Sequence, residues 1–504
     1  MIELARKEDC CGCFGCKSIC PESCIEMNPD SEGFNYLEID VSRCTNCGQC
    51  NKVCPMNKKR APKKNPKVYA AWNLDDETRL KSSSGGVFSL LAKEIIDQNG
   101  VVFGAAFDEN MKLSHSFVED YDGLNRFRGS KYIESTVGTS FIEAKAFLKE
   151  GRKVLFSGTP CQISGLKHFL KKEYDNLLTV DLVCHGVPSP EVFNKYKQNM
   201  ERTHNSKVVN IEFRNKNNGW KSSAIEVEFE DGKKYLNSIR KDNYMFGFLR
   251  NIYLRPCCHE CQFTGVSRIA DITLGDFWGV GKKKPELDDD KGTSIVLLHS
   301  EKGSNFFEQL GERIFMEKAN VEDAIIYNPA INSPAYMNFK RNRFFSDFLV
   351  LPFEKIVRKY LKMHLIDYFN KYKIRTYRFM FFVWAILMFA FALFSLLVEG
   401  KETLSYFVTL FEFYVFGLIA SNSVTIRKIT FFKMVGVVYF AMIAYILGYS
   451  LIPLLFFSQR FDLSNSIIAL VASSLGIATT VVGLFIKSKI IQKQLKSIDT
   501  SKSD

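Results

Sequence analysis

Between residues 68 and 299 the chain alternates short apolar runs with amphipathic stretches, the pattern of strands and helices taken in turn. Residues 68–72, 101–107, 153–157, 177–183 and 294–299 read as strands, while 87–96 and the run holding Ile163, Leu166 and Leu170 carry helical spacing. Residues 208–214, 224–230 and 234–236 read as antiparallel strands, the last two joined through Asp231-Gly232. That succession predicts a mixed α/β region over 68–340. Farther along the polar faces vanish. Residues 379–398, 404–424, 435–457 and 466–486 are each about 20 largely apolar residues, a length that crosses a bilayer as a helix. The predicted order is a small N-terminal domain (1–60), a basic, proline-punctuated linker, the α/β mixed catalytic region (68–340), a linker (341–378), an all-α four-helix transmembrane region (379–486) and a tail (487–504).

The N-terminal stretch is organised by cysteine and not by periodicity. Cys10, Cys13, Cys16 and Cys20-Pro21 form one C-x-x-C-x-x-C-x-x-x-C-P run, and Cys44, Cys47, Cys50 and Cys54-Pro55 repeat it. Such a run gives three thiolates to one 4Fe-4S cluster while its fourth reaches the other cluster. One cluster therefore takes Cys10, Cys13, Cys16 and Cys54, and the second takes Cys44, Cys47, Cys50 and Cys20. Zinc sites pair C-x-x-C units across a gap and do not place three cysteines at every third position. Neighbours three apart are also poorly placed to form disulfides with each other. The stretch resembles the bacterial-type two-cluster ferredoxins, which implies a small α+β ferredoxin-like domain. Cys11 and Cys24 fall outside the pattern and read as a bystander and as core filler.

Composition adds compartment and partner. Ten of the fifteen cysteines precede residue 55, most in cluster spacing, which implies a reducing environment and excludes a secreted disulfide scaffold. No signal peptide is expected, because Met1 to Arg6 lead into the ligands without an apolar run. The formal charge of +12 fits either nucleic acid or an anionic membrane surface, and the apolar C-terminal segments favour the membrane. The expected partners are a ferredoxin or another one-electron carrier and the lipid bilayer, with a partner redox subunit or a lipid-linked substrate as further candidates and no nucleic acid.

In the α/β region the chemistry sits where strands end. Cys161 follows one predicted strand in Gly158-Thr159-Pro160-Cys161-Gln162, and Cys184 ends another in Cys184-His185-Gly186-Val187-Pro188. With the C-x-x-C pair Cys258 and Cys261 they supply four thiolates, the inventory of a third cluster, although one C-x-x-C also suits zinc or a redox disulfide. The Ser82-Ser83-Ser84-Gly85-Gly86 turn opens a helix and offers hydroxyls and free N–H groups to a phosphate, or simply N-caps the helix. No G-x-G-x-x-G follows a strand, and Gly279-Val280-Gly281-Lys282 lacks a P-loop frame.

From about Val68 to Asn338 the chain resembles the beta subunits of coenzyme F420 hydrogenases and dehydrogenases, relatives of 7-hydroxymethyl chlorophyll a reductase. The resemblance rests on Ser84-Gly85-Gly86, Arg128-Gly129-Ser130-Lys131-Tyr132, the Cys161 and Cys184 motifs, Cys258-x-x-Cys261 and Asp271-Ile272-Thr273-Leu274-Gly275-Asp276-Phe277-Trp278-Gly279. It implies an iron-sulfur flavoprotein with FAD beside a 4Fe-4S cluster held by Cys161, Cys184, Cys258 and Cys261. It also implies FAD contacts at Ser83, Ser84, Gly85, Gly86, Ser130, Lys131, Gly158 and Thr159, with Lys131 a candidate to stabilise a reduced flavin. Cys257 stands where the family usually has a small residue.

Basic residues flank alternate ends of the four apolar segments, so the positive-inside rule places both termini and the redox domains in the cytoplasm and the chain in the inner membrane as a multi-pass protein. Glu412 within the second segment is a candidate functional carboxylate. The predicted function is a membrane-anchored iron-sulfur flavoprotein oxidoreductase, passing electrons from ferredoxin through three 4Fe-4S clusters to FAD for a two-electron reduction, with no catalytic side chain assigned. The alternative is an electron-transfer subunit that serves a partner enzyme or a quinone.

Overall fold

The computed structural model describes residues 6–57 and 65–361. Its centre is an eight-stranded sheet in the order β13-β3-β12-β11-β7-β6-β4-β5. The strands are β3 (Lys67–Asn73), β4 (Val101–Phe107), β5 (Leu113–Val118), β6 (Val154–Gly158), β7 (Leu177–Leu182), β11 (Ile272–Asp276), β12 (Ser294–Leu298) and β13 (Ile314–Lys318). The four middle strands β4, β6, β7 and β11 are parallel, with Val101 opposite Val154, Val154 opposite Leu177, and Ile272 opposite Val180. All other pairings in the sheet are antiparallel.

Covered parallel strands read as continuous apolar runs, and β6 and β7 do so because both their faces are buried. The Pro160–Leu170 helix carries the chain from β6 back to β7, opened by Thr159 and Gln162 in a reciprocal capping box with proline in the first turn. A separate antiparallel sheet, β10-β9-β8, joins β8 (Val208–Asn215), β9 (Ala224–Phe229) and β10 (Lys234–Ser238). The remaining pair, β1 (Ile25–Pro29) and β2 (Asn35–Ile39), is antiparallel with Met27 opposite Leu37.

The cysteine-rich start has no core of its own. Phe14, Cys16, Cys24, Ile25, Met27 and Cys50 lie in one apolar cluster with Phe141 from the Ser140–Lys149 helix and Ile163 and Leu166 from the Pro160–Leu170 helix. A segment this short buries too little surface to stand alone, and packing on the sheet's helices supplies the rest. The described residues accordingly fall in one compact unit.

The mixed α/β architecture with a ferredoxin-like start is what the described residues show. The four-helix transmembrane part of the predicted fold requires correction. Among the described residues no helix is long and apolar enough to cross a membrane. The longest, Pro190–His204, has 15 residues, and at about 1.5 Å per residue it falls short of a hydrocarbon core of about 30 Å. The placement as a multi-pass inner-membrane protein is not supported on the same finding. Residues 379–398, 404–424, 435–457 and 466–486, together with Glu412, lie outside the described residues.

Asp271 locks the parallel strands behind the site. One carboxylate oxygen accepts from the Thr179 N–H at 2.9 Å and the Thr179 hydroxyl at 2.6 Å, and the other accepts from the Ser300 hydroxyl at 2.7 Å. Burial by itself raises the proton affinity of this carboxyl, but Lys167, Lys302 and the donated hydrogen bonds outweigh it and hold the group below its ordinary 3.8. A depressed carboxyl contributes stability that is fully present above its unfolded value and is lost as pH falls through the folded one. Asp271→Ala is expected to lose about 1–3 kcal/mol in urea unfolding at neutral pH. That difference should shrink as the pH is lowered below the ordinary carboxylate range.

Candidate functional site

The two cysteine runs fold alike. Each enters a one-turn helix, Gly15–Ile19 or Gln49–Val53, through a left-handed residue, Phe14 at φ 64° or Gly48 at φ 68°. Each helix ends at its fourth cysteine, where Cys20 and Cys54 are extended at ψ 115° and ψ 118°. The proline that follows each cysteine enforces that extension.

Cys10, Cys13, Cys16 and Cys54 are all buried. Burial, and then the neighbouring Cys13, Cys10 and Cys54 thiols, push the Cys16 thiol well up. Cys54 is pushed up to about 11 by burial and by Cys13 and Cys10. Cys20, Cys44, Cys47 and Cys50 surround a second cavity together with Cys24, whose sulfur is 3.4 Å from that of Cys20. Cys47 is exposed. Cys24, expected as core filler, is buried yet lines this cavity.

A cavity lies beyond the C-terminal ends of β6 and β7, the edge where open parallel sheets place their chemistry. It encloses about 720 Å³, part of it open to solvent, and gathers Cys161, Cys184, Cys258 and Cys261 with Cys11 and Cys257. Cys161 follows β6 at the start of the Pro160–Leu170 helix, its sulfur 3.1 Å from the Thr159 hydroxyl. Cys184 stands just past β7, and Cys258 accepts a 3.5 Å bond from the Val187 N–H. Burial and the Cys258, Cys161 and Cys261 thiols push Cys184 well up, and burial with Cys161 brings Cys261 up to about 12. Thiols raised in this way hold their protons until a cation displaces them, whereas Cys11 draws the Cys161 thiol down to about 7. Among the described residues no three His, Cys, Asp or Glu side chains converge as one metal ion requires. The cysteines ring cavities instead.

Cys11, read from sequence as a bystander, lines the same cavity as Cys161, and the Cys13 and Cys161 thiols push its own thiol well up. The first and third cysteine sets are therefore neighbours. Their contact is made by glycines: Gly15 packs on Gly165, and a Cβ on Gly165 would stand 2.9 Å from the Cys13 sulfur. Sequence reading also passed over Arg255 and Glu134, a buried ion pair of 2.7 Å between the two sets. A lone arginine before Pro256 carries no motif.

The residues expected at a flavin gather at two places. Ser83, Ser84, Gly85, Gly86, Ser130 and Lys131 come together: the Ser130 N–H donates to the Ser83 hydroxyl at 2.7 Å, Ser84 donates to Thr293 O at 3.1 Å, and Gly85 N–H donates to the Ser294 hydroxyl at 3.0 Å. Lys216 braces the turn by donating to Ser84 O at 2.9 Å. Gly86 at φ 77° opens the Val87–Asp97 helix with no side-chain cap, which leaves the helix's first N–H groups for a ligand. Lys131 donates to Arg128 O and Gly129 O, both at 3.1 Å, and burial brings it down to about 7. Arg128 donates from Nε to the Ser89 hydroxyl at 3.3 Å. Gly158 and Thr159 lie instead with the third cysteine set, Thr159 on the cavity wall. The segment from Arg128 to Ser135 links the two places, since Glu134 and Ser135 line the cavity.

Residues 151–324 match the model for the C-terminal part of the coenzyme F420 hydrogenase/dehydrogenase beta subunit, and residues 9–58 match the 4Fe-4S dicluster domain. The chain carries a coenzyme F420 hydrogenase/dehydrogenase beta-subunit domain behind a 4Fe-4S dicluster domain. An uncharacterized protein of Methanocaldococcus jannaschii is 24% identical over 346 residues, spanning 60% of this chain and 86% of that protein. The dicluster part is 39% identical over 56 residues to an NADH-quinone oxidoreductase subunit I of Geobacter metallireducens, covering 10% of this chain and 43% of that protein. It is also 35% identical over 54 residues to an uncharacterized ferredoxin of M. jannaschii, covering 11% of this chain and 69% of the ferredoxin. Among solved structures, the F420-reducing [NiFe] hydrogenase complex from Methanosarcina barkeri aligns with a TM-score of 0.36 at 17% identity, over 60% of this chain and 95% of that one. The beta-subunit-type protein is thus an iron-sulfur, electron-transferring component of oxidoreductase type that holds 4Fe-4S clusters.

The glycine contact between the beta-subunit domain and the dicluster domain gives a direct test. Gly165→Val would push the Pro160–Leu170 helix off Cys13. Overpacking of this kind is expected to cost about 1–3 kcal/mol in chemical denaturation. The visible iron-sulfur absorption should change while far-ultraviolet circular dichroism stays that of the parent.

Proposed function

We propose that this chain is an iron-sulfur flavoprotein oxidoreductase with three 4Fe-4S sites, in which Cys10, Cys13, Cys16 and Cys54 hold the first, Cys20, Cys44, Cys47 and Cys50 the second, and Cys161, Cys184, Cys258 and Cys261 the third. The observation that carries this reading is the convergence of Cys161, Cys184, Cys258 and Cys261 on one cavity beside the first set. Clusters carry single electrons, and FAD, when bound, couples one-electron to two-electron chemistry. Exposed Cys47 marks the second set as the place where a one-electron carrier such as a ferredoxin would dock.

The residues present suit FAD. Ser83 and Ser130 offer hydroxyls, Arg128 and Lys131 offer nitrogen donors, and the uncapped start of the Val87–Asp97 helix offers N–H groups. Together these suit the anionic diphosphate. Gly158 and Thr159 would face the flavin end, close to Cys161. A second reading, an electron-transfer subunit with a partner redox protein and no substrate of its own, is favoured by the names of the matched proteins, a hydrogenase or dehydrogenase beta subunit and a quinone oxidoreductase subunit.

Anaerobic purification of the full chain tests the reading. About twelve irons and one FAD per chain are expected. Cys258→Ala should lose about four irons and keep the N-terminal pair of clusters. Iron near eight without flavin in the parent chain would sink the flavoprotein reading. Turnover with a small molecule only after a second protein is added would support the subunit reading. Lys131→Met is expected to lower flavin retention on gel filtration while the iron content is unchanged.

A further inference from the structure

We propose that Arg255 is a positioning residue that clamps the first cysteine set against the third and acts as the counter-charge shared by both. This rests on the reading that both sets hold 4Fe-4S clusters. The Arg255 side chain has no exposure, and its fork is used in three directions. Nε donates to Cys10 O at 2.8 Å, Nη1 to Glu134 Oε2 at 2.7 Å and Nη2 to Asn35 O at 2.8 Å. The guanidinium lies 4.3 Å from the Tyr36 ring and 5.5 Å from the Phe34 ring.

Two of those acceptors belong to the cysteine-rich segment, one of them at a cluster ligand. The third, Glu134, lines the cavity of Cys161, Cys184, Cys258 and Cys261. Arg255 itself opens the Pro256–Glu260 turn, where its carbonyl accepts from the Cys258 N–H at 3.0 Å. Gly12 is shaped to this clamp. At φ +65° it is left-handed, and a Cβ there would stand 2.9 Å from Arg255 Nη1.

A buried ion pair is a weak source of stability, since desolvation consumes most of its attraction. Registry and local field are what it supplies here. The Arg255 guanidinium sits on the Cys10 carbonyl of one set, while its own carbonyl holds the Cys258 N–H of the other and its partner Glu134 lines that set's cavity. Reduction adds one negative charge to a cage already ringed by four thiolates, and a nearby buried cation favours the reduced form. Electron transfer between two such clusters, when bound, would move no proton and break no bond, and Arg255 would weigh on the potential of both.

The test is redox titration of the full chain followed by electron paramagnetic resonance, with the third cluster's signal identified by its loss in Cys258→Ala. Glu134→Gln keeps an acceptor for Arg255 and removes the neutralising charge. It should shift the reduction equilibria of the first and third clusters about tenfold toward reduced, about 59 mV for a one-electron couple, and leave the second unmoved. Arg255→Met should shift the same two in the opposite sense. Arg255→Lys keeps the charge but not the fork, so it should weaken the magnetic interaction between those two clusters with little change in potential. Glu134→Gln moving all three clusters alike, or none by more than about twofold, overturns the proposal even if Arg255→Met does not fold. A parent chain with about eight irons overturns the underlying three-cluster reading instead.

Discussion

The structure depends on keeping several thiols together in dry cavities, where their thiolates would repel one another. Burial alone raises the proton affinity of Cys16, Cys54, Cys184 and Cys261, and each neighbouring thiol raises it further. Only a folded shell that fixes all the ligands at once makes such groups useful to a metal cluster. The N-terminal segment cannot build that shell alone. Its apolar residues are few, and they join the cluster of Phe141, Ile163 and Leu166 on the sheet's helices.

That shared packing couples local structure to electron transfer. Gly15 and Gly165 let two backbones approach closely, which sets Cys13 against the Pro160–Leu170 helix that carries Cys161. Arg341 repeats the theme at Glu32, between the two positions that Arg255 holds. It is buried, pairs with Glu32 and donates to Leu254 O at 2.8 Å, one position before Arg255. Two arginines thus tie the cysteine-rich segment to the strand of chain that presents Cys258. Fixed geometry of this kind is what a relay between buried centres needs, because a shift of one domain against the other would change the spacing.

The sheet contributes by where it ends. Four parallel strands run the same way, so the turns after β6 and β7 open on one edge and bring Cys161 and Cys184 to the same cavity. The antiparallel flank ending in β12 and β3 holds the Ser83–Gly86 turn through Ser294 and Thr293. The Arg128–Ser135 segment then spans from that turn to the cavity. Fold and site are separable in principle, and here the chemistry resides in those loop residues and not in the sheet itself.

By itself the sequence determined the first two cysteine sets, the α/β alternation and most strand positions, because spacing and apolar runs are local signals. The strand predicted at 101–107 coincides with β4, and that at 177–183 with β7 to within a residue. It did not reveal β5 or β13, which lie at the edges of the sheet and have less regular burial. The long apolar segments of the last third were read as membrane spans, whereas no helix among the described residues has that character. Only the tertiary structure decided that Cys11 shares a cavity wall with Cys161, Cys184, Cys258 and Cys261 and that Cys24 lines another. It also decided that Arg255 and Glu134, 121 positions apart, meet in the interior. No local pattern encodes such a pair, since a buried charge is stabilised only by partners that the fold brings from elsewhere in the chain.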